Sequence, residues 1–208
     1  MARPSRTRKN DPAALRARVL DAAARSFQAH GYGATSMHDV VRAAAVTGGA
    51  LYHHFPSKKD LALAVLAERV AREVEQTWIA AVHDAPTGAE GIMMVFEETA
   101  DELDRRGAVR GCPLGNLAIE LSLADEELRA AVEQAYRDWR GAIAARLRRD
   151  IEAGSGSFAS DDPEAFADVV VALFTGAMSI ARAEQNSTAL RACAQRLRIM
   201  MSLPPTSA

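Results

Sequence analysis

Cysteine is nearly missing from this chain. Two in 208 residues, Cys112 and Cys193, are too few and too far apart for a disulfide framework or a thiolate zinc site, as expected of a protein kept in a reducing compartment. The five histidines, His30, His38, His53, His54 and His83, fall into no metal-ligand or triad spacing, so the converging groups that an enzyme needs are not there and no metal or cofactor is expected. No run alternates β-branched with polar residues between turn signals, which excludes a credible strand. No apolar stretch reaches the ~20 residues of a membrane span. The most apolar one, Val169 to Ala181, carries Thr175, Gly176 and Ser179 and stops at Arg182. The opening MARPSRTRKN is basic but has no apolar core or cleavage site, so a secretory signal is not expected and a cytoplasmic location without a membrane partner is.

What is present is ordinary in amount and uneven in place. Apolar residues make up 49% and charged ones 25%, the composition of a globular protein with a real core. Residues 1–60 hold ten Lys/Arg against four Asp/Glu, a balance of +6. The remaining residues hold fifteen against twenty-three, a balance of −8. A small basic module joined to a larger acidic one suits a nucleic-acid reader with a separate body, because neutralising phosphates supplies much of DNA affinity.

Helical signals run the whole length. Asp11-Pro12 is a helix start, and Leu15, Val19, Ala23 and Phe27 follow at helical spacing until Gly31. Ser36 with Asp39 opens a helix of two turns bearing Met37, Val40, Val41 and Ala44 as a stripe. Thr47 can cap a third in which Leu51 and Phe55 point one way, and Pro56 ends it. Ser57 with Asp60 opens a long helix. Further helices are expected near 58–82, 88–106, 114–123, 126–153, 163–185 and 188–201, separated by turn-rich breaks. The fold class is therefore all-α, with residues 1–56 as an N-terminal three-helix module and 57–208 as a helical body.

A short helix, a tight turn and a second short helix held by a longer one make a helix-turn-helix. Its second helix enters the major groove if its outward residues are small or polar. Gly48, Gly49, Ala50, Tyr52 and His54 meet that condition. Paired glycines are poor helix formers, so at a helix start they suggest close approach to something outside or else a loose turn. Tyr52, His54 and Lys58 suit phosphate oxygens.

The stretch ATSMHDVVRAAAVTGGALYHHFPSKKDL, residues 34–61, resembles the DNA-binding signature of the TetR family, with Phe27 and Gly31-Tyr32 as its lead-in. The resemblance covers about a quarter of the chain. It implies an all-α homodimer with three DNA-binding helices and a variable ligand-binding body. It further implies Thr47, Gly48, Gly49, Ala50 and Tyr52 on the recognition helix, and His54 and Lys58 on phosphates. Two positions depart from the pattern: Ala45 stands where a turn glycine is usual, and Gly48 where a lysine is frequent. Arg3, Arg6, Arg8 and Lys9 can serve as a basic arm on the backbone or in the minor groove, or simply as a solubilising tail.

In the body, Arg110-Gly-Cys-Pro-Leu-Gly-Asn-Leu-Ala-Ile-Glu120 resembles a segment of the LmrA/YxaF-like branch, which implies a small apolar effector. Trp78, Met93, Phe96, Leu117, Tyr136, Trp139 and Phe174 are candidates to line its pocket, with Cys112 beside them and Asn116 or Glu120 as polar anchors. Ordinary core packing accounts for such residues equally well. Phe166 to Ala181 is apolar nearly all round, which calls for cover on a second face. Phe166, Val170, Phe174 and Ala177, with Leu190 and Leu197 of the next helix, are the expected dimer interface. The function expected is a ligand-responsive regulator of double-stranded operator DNA, a repressor released by its effector. Two alternatives stay open at this point: an architectural DNA-binding protein without an effector, and a sensor of reactive compounds in which Cys112, beside Arg110 at a helix start, carries a lowered pKa.

Overall fold

The computed structural model describes residues 11–155 and 162–203. Among the described residues there are nine helices and no strand. Helix α1 (Pro12–His30) starts where the Asp11 carboxylate accepts from the amides of Ala13 at 3.0 Å and Ala14 at 3.2 Å, with Pro12 in the first turn. It ends at Gly31, whose φ of 89° carries the chain out of the helix. Helices α2 (Met37–Ala44) and α3 (Gly48–His54) follow. Ser36 and Asp39 cap each other's backbone reciprocally, and the Thr47 hydroxyl accepts from the Ala50 amide at 3.2 Å. Between α2 and α3 the chain turns at Ala45, which sits in the left-handed region at φ 52° and ψ 49°. Two-turn helices have little stability of their own. These are held by burying Val40 and Leu51 against Val19, Leu20, Phe27 and Leu61.

Helix α4 runs on without a break from Lys58–Val65 through a π-helical turn at Leu66–Val70, Ala71–Val74, a second π-helical turn at Glu75–Ile79, and Ala80–Asp84. The first π-turn carries Glu68, which pairs with Arg16 of α1 (Nη1 to Oε2 2.7 Å), and Arg69, which pairs with Asp21 (2.6 Å). Then come α5 (Gly88–Arg106), α6 (Pro113–Leu121), α7 (Glu126–Ala153), α8 (Pro163–Glu184) and α9 (Thr188–Met200). The expected helix at 114–123 begins one residue earlier because Cys112 occupies the N-cap with Pro113 next, and it ends at Leu121. At the α4–α5 corner, half-buried Arg146 donates to the carbonyls of Val82, Ala85 and Pro86, each at 2.9 Å. Its partner Asp150 accepts from the Gly88 amide at 2.5 Å. One apolar cluster extends from Val19 in α1 to Met201 after α9, so α4 is shared between the three-helix module and the body.

Helix α8 has 22 residues, of which an 18-residue stretch has a mean hydropathy of 1.6, enough by length and composition to cross a bilayer, contrary to the expectation from its polar interruptions. One of its faces packs instead on α7 and α9. That face carries Phe166, Val170, Phe174 and Ala177, and Leu190 and Leu197 of α9 are buried with it. All six residues expected at a dimer interface are thus inside the protomer, which corrects their assignment. Where both faces of a helix are apolar, periodicity does not say which one turns inward. The face left in water is Val169, Ala172, Gly176 and Ile180, next to exposed Ile199 and Met200 of α9.

Candidate nucleic-acid interface and effector cavity

Helix α3 turns Leu51 and Phe55 into the core and leaves Thr47, Gly49 and Tyr52 exposed, with Gly48, Ala50 and His54 half-exposed. A Cβ added at Gly48 or Gly49 would meet nothing within 4 Å. Neither glycine has a positive φ. Nothing inside the chain therefore asks for glycine at two successive positions of a helix start. Lys58 is partly folded back: its ammonium lies 4.2 Å from the centre of the Tyr32 ring and donates to the Gly33 carbonyl at 3.3 Å. Burial lowers its pKa, while the Glu120 carboxylate acts the other way. Arg3, Arg6, Arg8 and Lys9 lie outside the described residues.

A cavity of about 1020 Å³ opens in the body. Its aromatic wall is Trp78 of α4, Trp139 of α7 and Phe174 of α8, with ring centroids 4.8 Å apart for Trp78–Phe174 and 5.1 Å for Trp78–Trp139. The indole nitrogens of Trp78 and Trp139 are buried and have no hydrogen-bond partner within the described chain. Residues of the second π-turn of α4, Gln76, Thr77 and Trp78, all border the cavity. Such turns re-aim side chains and are frequent at functional sites.

Of the ten residues expected to line a pocket, Trp78, Cys112, Trp139 and Phe174 do so. Met93, Phe96 and Leu117 are buried in the surrounding core, Phe96 edge-on to Trp78 and Phe174, and Tyr136 stacks on Trp139 at 6.3 Å from outside the wall. Asn116 and Glu120, one turn apart on α6, face away from the cavity. Asn116 donates to the Arg110 carbonyl at 2.8 Å, and Glu120 accepts from the amides of Tyr32 and Gly33. The cysteine expectation also changes sign. Cys112 is buried, and burial pushes its thiol up to about 11, outweighing the Gly115 and Leu114 amides. A thiol of that kind is a poor nucleophile near neutral pH.

Most of the cavity lining carries no sequence signal, among it Gln28 of α1, Glu73 of α4 and Met178 of α8. Glu73 is one acid in a mixed charged run, yet it lies in the cavity, reachable by water but walled by protein. Desolvation raises its pKa and the Arg106 guanidinium opposes that rise.

Comparison with known proteins agrees with this arrangement. Residues 19–65 match the profile described as bacterial regulatory proteins, tetR family, and residues 88–196 match that of the transcriptional regulator LmrA/YxaF-like C-terminal domain. The HTH-type transcriptional regulator LmrA of Bacillus subtilis is 34% identical over 176 residues, covering 84% of this chain and 90% of that protein. YxaF, an uncharacterized HTH-type transcriptional regulator of the same organism, is 24% identical over 186 residues, covering 89% and 94%. A TetR transcriptional regulator from Chloroflexus aurantiacus has the same fold, with a TM-score of 0.80 at 27% identity over 92% of this chain and 96% of that one. With a helix-turn-helix of α2 and α3 on the three-helix module, an all-helical body and these two profile matches, the chain belongs to the TetR family of DNA-binding transcriptional regulators, with a C-terminal domain of the LmrA/YxaF-like type.

Proposed function

We propose that the protein is a cytoplasmic repressor that binds a pseudo-palindromic operator as a symmetric dimer and lets go when a small, mainly apolar molecule enters the cavity. The observation that carries this reading is the cavity of about 1020 Å³ with its aromatic wall. A wholly polar molecule would leave the aromatic wall unmatched, and a pure hydrocarbon would make no use of Gln76, Thr77 and Glu98, which also line the cavity. The effector therefore combines flat apolar surface with hydrogen-bonding groups. At the DNA end, Gly48 and Gly49 offer bare backbone at the start of α3, where a base edge or phosphate can come close.

The dimer contact in this reading is the face of α8 through Val169, Ala172, Gly176 and Ile180, with Ile199 and Met200. Small residues between large apolar ones let two helices approach across a two-fold axis, and two copies of α8 and α9 make a four-helix contact. The test is selection of duplexes from a random pool, followed by a compound screen read on the selected duplex. Each compound is scored for DNA release and for quenching of Trp78 and Trp139, the chain's two tryptophans. Compounds that quench and release support the reading; tight quenching that never alters DNA affinity contradicts it.

A further inference from the structure

Glu120 sits at the end of α6, and its carboxylate is held by another part of the chain. One oxygen accepts from the Tyr32 amide at 3.0 Å and the other from the Gly33 amide at 2.6 Å. Hydrogen bonds to an ionised acceptor are the stronger kind. Gly31 makes room for them: its φ is 89°, and a Cβ there would lie 2.6 Å from the Glu120 oxygen. The turn so gripped joins α1 to α2, and Lys58 at the start of α4 holds it from its other side through the Gly33 carbonyl and the Tyr32 ring.

The opposite end of α6 belongs to the cavity. Cys112, Pro113 and Leu114 form part of its wall, and the Gly111 carbonyl before them accepts from Gln28 of α1 at 3.4 Å. Nine residues of helix, about 13 Å of rise, separate the two ends. Gly115 lies against α8 so closely that a Cβ on it would stand 2.7 Å from the Thr175 methyl. A rigid rod seated this tightly cannot shift at one end alone.

We propose that Glu120 is the positioning residue that couples the cavity to the DNA-binding helices, with α6 as the strut between them. The proposal rests on the cavity being the effector site, but its mechanical core does not need an effector. Motion of the cavity rim moves Glu120, Glu120 moves the Tyr32–Gly33 turn, and that turn sets where α2 and α3 lie.

The test pushes the strut from its cavity side in the full-length protein, without ligand. Gly115→Ala forces α6 away from Thr175. Operator affinity on a selected duplex should change by about fivefold or more, the lower range of known couplings, and exchange of the Tyr32 and Gly33 amides should change with it. Gly115→Ala with Thr175→Ser, which removes the offending methyl, should return both readouts to near wild type. In a Glu120→Ala background the Gly115→Ala effect should vanish, and Glu120→Gln should retain part of it. Leu114→Ala, which loosens the same end, serves as the second push should Gly115→Ala not fold. An effect of equal size with and without Glu120, or no effect of either push on the wild type, overturns the proposal. A Gly115→Ala effect abolished by Gln28→Ala but not by Glu120→Ala overturns it too and gives the role to Gln28. Because no compound is used, a cavity that binds no effector would leave these results unchanged and fail only in the compound screen.

Discussion

Two glutamate substitutions on α8, one on each face, should have opposite consequences. Val170 is 0% exposed within the protomer, whereas Ile180 is 50% exposed. Burying a valine is worth about 1.5–3 kcal/mol, and leaving an unpaired carboxylate in its place adds a desolvation cost of several kcal/mol. Against a typical total stability of about 5–15 kcal/mol, Val170→Glu should unfold the body or leave it barely folded. At Ile180 half the side chain is already in water, so the apolar loss within the protomer is only about 1 kcal/mol. The fold should survive. In a two-fold contact the change occurs twice, and each carboxylate is taken from water. A loss of roughly 3 kcal/mol at the contact would raise the dimer dissociation constant by more than about a hundredfold. Sedimentation velocity at micromolar protein, paired with far-ultraviolet circular dichroism, separates the outcomes. Ile180→Glu should be helical and monomeric, and Val170→Glu should lose helix. A helical Ile180→Glu protein that still sediments as a tight dimer, or a well-folded monomer from Val170→Glu, would refute the reasoning about which face points outward.

Three further outcomes are expected. Ala45→Gly relieves a left-handed alanine at φ 52° and should raise stability by about 1 kcal/mol, read as a higher urea midpoint; a lower midpoint would contradict the strain. Gly49→Ala should make α3 up to about 1 kcal/mol more stable, because its Cβ meets nothing in the chain, and under the proposed reading it should weaken operator binding by standing where DNA comes close; unchanged affinity would remove Gly49 from the interface. The raised pKa of Glu73 means that the folded protein holds this proton more tightly than the unfolded chain. That share of stability is full below the ordinary glutamate value and is lost as pH rises through the raised one. Glu73→Gln should flatten the profile of urea midpoint against pH across that window, and an unaltered profile would show that the carboxyl is not desolvated.

The three-helix module was legible because its signals are local. Asp11-Pro12, Ser36 with Asp39 and Thr47 each announce a helix start within three residues, and the structure uses all of them as caps. The cavity was half legible. Large aromatic residues must be buried somewhere, so Trp78, Trp139 and Phe174 could be picked by type, but type does not fix the phase of a helix against its neighbours. That is why Asn116 and Glu120, reasonable as polar anchors, turn out on the side of α6 that meets the loop before it and the α1–α2 turn. Glu73 had no signal at all, because two π-turns add residues to α4 and no reading at a fixed period follows the face across them. Helix α8 failed differently. Its inner and outer stripes are both apolar, and only the packing of α7 and α9 decides that Val170 goes in while Val169 stays out.

The most direct measurement is a hydroxyl-radical footprint of the full-length protein on a duplex selected from a random pool, repeated with Gly49→Ala and Tyr52→Phe. Two protected half-sites related by a dyad and centred about one helical turn apart or a multiple of it are expected. Base preference within each half-site should be altered by Gly49→Ala, and affinity for all sequences reduced alike by Tyr52→Phe. Protection lacking dyad symmetry, or a footprint indifferent to both substitutions, would contradict the assignment of α3 as the element that reads DNA.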